Sequence, residues 1–253
     1  MQQYWFGSGI MWAIPLIDIA GNNVATPTPV PFGAMQDVSI DISHTVKELY
    51  GQNQYPLAIG RGTAKITGKA KQASIQASLF NQVYGANMIA NQTLIAYQEA
   101  ANIGGANNNA TVSHNGNAVF LYDLGVFYAA NGNQLARNTA PGGTGGQYSV
   151  DANGKYTFSA NEANNTAVQI SYAYVGGSGN YFVVQNQPLG ISPFFKVALR
   201  GIYGGKQTVF TLYQCVGTKL TIATKLEDFV IPEFDFSAMA DASGNVYDFH
   251  TAQ

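Results

Sequence analysis

Alternation of apolar and polar positions is the clearest pattern in this chain. Between residues 37 and 43, Val38, Ile40 and Ile42 fall on one side, while Asp37, Ser39, Asp41 and Ser43 fall on the other. A period of two with one polar side predicts a strand buried on one face and wet on the other. Residues 62–71 repeat the pattern, with Ala64, Ile66 and Ala70 on one face and Lys65, Thr67, Lys69 and Lys71 on the other. The two segments pair as a long antiparallel hairpin whose polar face carries Asp and Lys in rough balance, which cross-strand pairing favours. Residues 47–57 join them. That connection is too long for a tight turn, and loops of this length in compact domains usually have a function. It holds Lys47, Glu48, Leu49, Tyr50, Tyr55, Pro56 and Leu57, and its apolar members need something to pack on.

Most of the remaining chain also reads as strands: short runs of β-branched and aromatic residues punctuated by Gly, Asn and Pro. Residues 8–19 form a strand closed by the turn Gly21-Asn22-Asn23, and the prolines of residues 26–31 predict an extended arm. The single helix expected spans residues 72–84, where Ile75, Leu79 and Val83 recur at steps of four and Gly85 ends the run. Strand signals resume over 93–100. Gly/Asn-rich shifts at 103–109 and 175–180 then bracket a self-contained set of strands near 119–122, 126–128, 148–150, 156–158 and 168–174. Turns such as Asn131-Gly132 and Asn153-Gly154 separate them. Strands over 181–186, 194–203, 207–216 and 219–224 follow, two of them joined by Tyr203-Gly204-Gly205-Lys206. The expected architecture is mainly β. A discontinuous domain (1–103 and 180–253) carries one flanking α-helix, and a small β-sandwich (104–179) is inserted in it.

Composition narrows the class. Only 10% of residues are charged against a norm of about 25%, while 46% are hydrophobic, which excludes a disordered chain. A surface poor in charge and rich in amides and hydroxyls loses little when a neighbour covers it, so the composition suits an assembly subunit better than a lone soluble enzyme; extracellular β-proteins share it. The net charge of −2 argues against avid nucleic-acid binding. Arg61, Lys65, Lys69 and Lys71 form a basic group, and Glu227, Asp228, Glu233, Asp235, Asp241 and Asp248 an acidic one. Two solvated faces or complementary charge between subunits would each account for them. Cys215 is the only cysteine and lies in an apolar run, where a buried inert thiol is expected. Residues 1–6 lack a basic leader, and Pro15 and Asp18 break the apolar stretch that follows, so neither a signal peptide nor a membrane span is expected.

Candidate chemistry is sparse. His44, His114 and His250 have no second ligand at metal-binding spacing, and Gly7-Ser8-Gly9 lacks the wider context of a nucleophilic serine. The glycines of 142–146 lack the lysine and helix of a phosphate loop and predict a flexible turn. Residues 241–245 lack the spaced carboxylates of a calcium loop and predict a turn on Gly244. Glu227, Asp228, Glu233 and Asp235 could pair for glycoside hydrolysis. They alternate with Phe229, Phe234 and Phe236, however, and that pattern predicts an edge strand or docking arm. No enzyme activity, cofactor or metal is expected.

The order of four stretches resembles phage major tail tube proteins of the type with an immunoglobulin-like insertion. They are Gly33-Ala34-Met35-Gln36-Asp37-Val38-Ser39-Ile40-Asp41; residues 47–56 running on through Gly68-Lys69-Ala70; Gly154-Lys155-Tyr156-Thr157-Phe158-Ser159 with Ile170-Ser171-Tyr172-Ala173-Tyr174; and Lys225-Leu226-Glu227-Asp228-Phe229 through Asn245. The resemblance implies a β-barrel or sandwich with one flanking helix, six copies to a ring, and rings stacked into a conduit for DNA in a virion tail assembled in the host cytoplasm. It implies a lumen lined by the wet hairpin face (Asp37, Ser39, Asp41, Lys65, Thr67, Lys69 and Lys71) and subunits bridged by the 47–57 loop. A docking arm would come from Glu227, Asp228, Phe229, Phe234, Asp235 and Phe236. The implied partners are sister copies, tape measure, tail terminator and baseplate or tail-tip proteins, DNA in transit without specific binding, and cell-surface glycans for the insert. A virion-surface or extracellular β-sandwich protein for carbohydrate binding or decoration, including head decoration, and the tube of a contractile secretion apparatus are the alternatives.

Overall fold

The computed structural model describes residues 4–74, 79, 87–105, 107–186 and 188–251. Fifteen strands, β1 to β15, succeed one another along them. They divide between two compact units, one formed by Met1–Met88 with Phe182–Gln253 and the other by Ile89–Tyr181.

The first unit is a single eight-stranded sheet. Its order is β2(Val30–Pro31), β1(Ile10–Ile17), β12(Phe194–Tyr203), β13(Lys206–Thr221), β14(Glu233–Met239), β4(Pro56–Gln72) and β3(Met35–Tyr50), with β15(Tyr247–Thr251) beside β13 as well. The long β13 serves both β15 and β14 on one side, pairing β15 over Thr208–Leu212 and β14 over Gln214–Thr221. Chain connectivity makes this sheet coil. Seven strands laid flat would set β2 and β3 about 29 Å apart, yet the four residue steps from Pro31 to Met35 reach only about 14 Å. The curl brings Phe32 against Phe234, with ring centroids 6.0 Å apart.

Alternation fills the inside of the coil. Phe195, Val197 and Leu199 of β12, Phe234 and Phe236 of β14, and Ile66 and Ala70 of β4 point into one core with Met11, Ala13 and Phe32. Residues between them along each strand face outward, as a period of two requires. Leu79 is buried in the same core. The helix expected over 72–84 falls almost wholly outside the described residues: Gln72 ends β4, and Ala73 and Ser74 form a bend.

The second unit is a two-sheet sandwich. A four-stranded sheet runs β6(Asn109–Thr111), β10(Lys155–Phe158), β9(Gln147–Val150), β8(Ala136–Arg137), and a three-stranded sheet runs β5(Asn87–Asn102), β11(Ala167–Val183), β7(Phe120–Tyr128). Tyr148, Tyr156 and Phe158 from the first sheet pack with Phe120, Val126, Val168, Ile170 and Tyr172 from the second. Buried phenols are costly unless their hydroxyls are satisfied, and three carboxylates do this. Asp123 accepts from Tyr148 (2.6 Å) and Tyr156 (2.9 Å), Glu162 from Tyr128 (2.6 Å), and Glu99 from Tyr172 (2.5 Å).

Two expectations change here. The unit begins at Ile89 and not at 104, because β5 adds an edge to β11 inside this unit and does not belong to the other. The Gly/Asn-rich residues near 103–109 are therefore an internal corner: Gly104 and Asn109 exchange backbone hydrogen bonds of 3.0 and 2.8 Å, and Gly105 takes a positive φ of 77°. At the other end, β11 runs unbroken through the glycines of 175–180 into Val183.

Candidate functional site

The outward face of the coiled sheet gathers all seven candidate lumen residues into one patch. Strand register sets Asp37 opposite Lys71, Ser39 opposite Lys69, Asp41 opposite Thr67 and Ser43 opposite Lys65. On the far side of β4, Lys71 meets Glu233, Lys69 meets Asp235 and Thr67 meets Ser237. One strand further, Lys219 lies opposite Asp235. The patch is a ladder of alternating sign, acidic on β3, basic on β4, acidic on β14 and basic again on β13.

Close ion pairs hold it. Lys69 Nζ donates to Glu233 at 3.0 Å and lies 3.9 Å from Asp235, while Lys71 Nζ stands 3.7 Å from Asp37 and 3.8 Å from Glu233. The hydrogen bond from Lys69 holds the Glu233 carboxyl below its ordinary value, helped by the charges of Lys69, Lys71 and Lys219. The same bond, with the nearby Asp235 and Asp41, raises the Lys69 ammonium. The sequence-level docking arm is corrected accordingly. Phe234 and Phe236 are buried core residues, and Asp235 lies on the wet face beside Lys69, because residues 233–239 form a central strand between β13 and β4. Only Glu227, Asp228 and Phe229 lie on an exposed segment. There Lys225 and Asp228 close a turn at 3.6 Å and leave Leu226 99% and Phe229 91% exposed.

The hairpin continues beyond the sheet. β14 pairs only with Ile66–Lys71 of β4, so the ten residues from Pro56 to Lys65 have β3 as their sole strand neighbour among the described residues. At about 3.3 Å per residue, this leaves a two-stranded arm about 33 Å long. The predicted long loop is thus mostly ladder: Lys47, Glu48, Leu49 and Tyr50 are strand residues of β3, Pro56 and Leu57 belong to β4, and only 51–55, including Tyr55, form the tip. Bulges at His44/Val46 and Leu49/Tyr50 interrupt the register. Val46, Leu49, Tyr50, Tyr55, Leu57 and Ile59 are all exposed on the arm, and the Tyr50 hydroxyl donates to Glu48. The outer edge of β3 pairs with no strand among the described residues.

An open apolar recess of about 390 Å³ lies at the root of the arm, lined by Trp5, Val38, Ile40, Ile42, Leu199 and Phe210. The N-terminal segment forms part of its wall. Tyr4 and Phe6 pack on Tyr203, and Trp5 lies over Gly201, where a Cβ would approach its ring to 2.3 Å. Residues 4–6 therefore fold back on the β12–β13 hairpin.

Burial pushes the Cys215 thiol up to about 12. His114 stacks on Tyr174 at 3.8 Å, His250 stands 3.4 Å from Asp248, and His44 is on the exposed hairpin. Ser8 donates to the Met35 carbonyl. The glycine run at 142–146 is pinned: Gly146 N–H donates to Glu162 at 2.6 Å, and Ser159 donates to the Gly142 carbonyl. Its amide is thus filled by the chain's own carboxylate. Asp241 Oδ1 accepts from the amides of Ser243 and Asn245, closing a turn with Gly244 at positive φ. No group of three His, Cys, Asp or Glu side chains among the described residues is arranged to hold a metal. No helix among them is long and apolar enough to cross a membrane.

Lys219, Glu233 and Ser237 complete the patch without having been named as candidates for it. The alternation Glu233-Phe234-Asp235-Phe236-Ser237 carried the signal, since it is the same period of two that marks β3. No protein-family model matches the chain, and no curated protein matches it either.

Proposed function

We propose that this chain is the repeating subunit of a bacteriophage tail tube, stacking as rings into a hollow conduit through which DNA passes. The arm carries the reading. A two-stranded hairpin is marginal in water by itself, yet this one projects about 33 Å beyond its sheet with Leu49, Tyr50, Leu57 and Ile59 bare. A second copy of the chain would give those side chains a surface and its strands partners. The outer edge of β3, which pairs with no strand among the described residues, supports the same reading, because exposed edges are aggregation hazards unless a defined neighbour covers them. The ladder of Asp37, Asp41, Lys65, Lys69 and Lys71 supplies the hydrated face a water-filled lumen needs. Ring contacts of this kind are heterologous: they close around an axis and remain open along it.

Electron microscopy of purified protein tests the reading. Long hollow filaments are expected; compact particles at every concentration and salt tried would overturn it. For the second unit a carbohydrate-binding role is the competing reading, favoured by the exposed rings of Tyr97 on β5 and Tyr122 on β7. Glycan binding by a soluble, non-polymerising chain would favour it.

A further inference from the structure

A conduit lined with lysines raises a physical difficulty, because ammonium groups release counterions from DNA and hold its phosphates. The wet ladder contains Lys65, Lys69, Lys71 and Lys219, four cations, against Asp37, Asp41, Glu233 and Asp235, four anions. The arrangement is not a random mixture. The basic strand β4 lies between two acidic strands, so that Lys71 is flanked by Asp37 and Glu233 and Lys69 by Asp235 on one side and Ser39 on the other. Glu233 stands within 3.8 Å of both Lys69 and Lys71.

We propose that Asp37, Glu233 and Asp235 act as fixed counterions that keep the β4 lysines from holding nucleic-acid phosphate. The inference rests on the tube reading for the identity of the polyanion, DNA. A phosphate approaching Lys69 meets an ammonium whose charge is already offset by Glu233 at 3.0 Å and Asp235 at 3.9 Å. Its arrival would release no mobile counterion from the protein side, since the counterion is part of the sheet. The lysines still have a use in this arrangement: without them the carboxylates of β3 and β14 would lie one strand apart with only repulsion between them. The face is hydrated and rich in charge, yet neutral in sum, and a polyanion can slide along it without being held.

The test uses the full chain and a fluorescein-labelled DNA duplex, followed by anisotropy at low salt. Wild type is expected to bind only weakly, with a half-saturation at the upper end of the protein concentrations used. The isosteric triple variant Asp37→Asn/Glu233→Gln/Asp235→Asn should bind at least tenfold more tightly. Its log K should fall with log salt at a slope of roughly −2.7 if three lysines reach phosphates. Adding Lys69→Gln and Lys71→Gln should abolish the gain. Glu233→Gln alone, which removes the carboxylate shared by two lysines, should give a smaller gain with a shallower slope of roughly −1.8 and carries the test should the triple variant not fold. A folded variant that binds DNA no better than wild type overturns the proposal, as does a gain that survives loss of the two lysines. Binding is read on dispersed protein, so it is separable from assembly. Variants that bind while wild type forms no filaments would leave the counterion role standing and sink the tube; filaments with non-binding variants would do the reverse.

Discussion

Gly68→Ala is the sharpest test of how the wet ladder is mounted on its core. Gly68 lies on β4 opposite Ile40 on one side and Phe236 on the other. A Cβ at this position would meet Cε2 and Cζ of Phe236 at 2.2 Å and Cε1 at 2.9 Å. Ordinary contact between carbons is about 3.5–4.0 Å, so the ring must retreat by more than about 1 Å. It has little room: Phe236 is buried and packs edge-on against Phe195 with centroids 6.2 Å apart. Overpacking of this sort costs about 1–3 kcal/mol, and the size of the overlap argues for the upper end. Gly68 has no positive φ, so alanine stiffens the unfolded chain and returns about 0.4–1 kcal/mol. The net expectation is a destabilisation of about 2 kcal/mol, against a typical domain stability of about 5–15. Both tryptophans, Trp5 and Trp12, belong to the first unit, so their fluorescence during urea unfolding reports that unit by itself. Phe236→Leu removes the ring edge, and in that background Gly68→Ala should cost close to nothing. A Gly68→Ala variant as stable as wild type would refute the reasoning, as would one whose cost is the same in both backgrounds, since contacting residues must couple.

Tyr50→Asp or Leu57→Asp should leave tryptophan fluorescence and dispersed protein intact but abolish filaments; unchanged sedimentation of polymer would remove the arm from the assembly. Replacing residues 89–181 with a short Gly-Ser linker should preserve the fold of the first unit. Gln98 lies beside Ser171 and Gln92 beside Gly177 and Gly179, so the chain arrives and leaves on neighbouring antiparallel strands; loss of the cooperative tryptophan transition would show that the inserted unit is needed for the core. The Lys69–Glu233 pair should contribute fully from about pH 5 to about pH 10 and fade at both ends. Glu233 is lowered, so its share is lost as pH falls through its folded value; Lys69 is raised, so its share is lost as pH rises through its own. Glu233→Gln should therefore flatten the acid limb of the stability profile, and an unaltered limb counts against the pair. Burial and their carboxylate partners push Tyr128 and Tyr172 up to about 12. Unfolded phenols ionise near pH 10, so the second unit should lose stability between about pH 10 and 12. Tyr128→Phe should remove part of that loss, and a folded chain whose phenols all titrate with a midpoint near pH 10 would contradict the network.

The β3–β4 hairpin was legible because its two faces differ in chemistry at every step from Asp37 to Ser43 and from Ala64 to Lys71. Burial of one face and hydration of the other leave only one register that satisfies both. The same pattern is present in residues 233–237, but alternation by itself does not separate the edge strand or docking arm expected there from the central strand that the sheet holds. The error has a physical lesson. Glu233 and Asp235 suit a sheet interior position only because Lys69 and Lys71 lie across from them, and that compensation is 164 residues away in the chain. Local sequence cannot display it. The inserted unit was misjudged at its start for the opposite reason: residues 103–109 look like a linker by composition, yet Gly105 at positive φ turns a corner between two strands of one sandwich. Its tyrosine–carboxylate contacts were invisible as well, since Asp123 reaches Tyr148 and Tyr156 only after two sheets have packed face to face. Local alternation therefore specifies which side of each strand is wet, while the pairing of β4 with β14 sets which charges face one another. The ladder of β3, β4, β14 and β13 is where both constraints meet on one surface. Its lysines and carboxylates therefore serve strand pairing and the hydration of that face together.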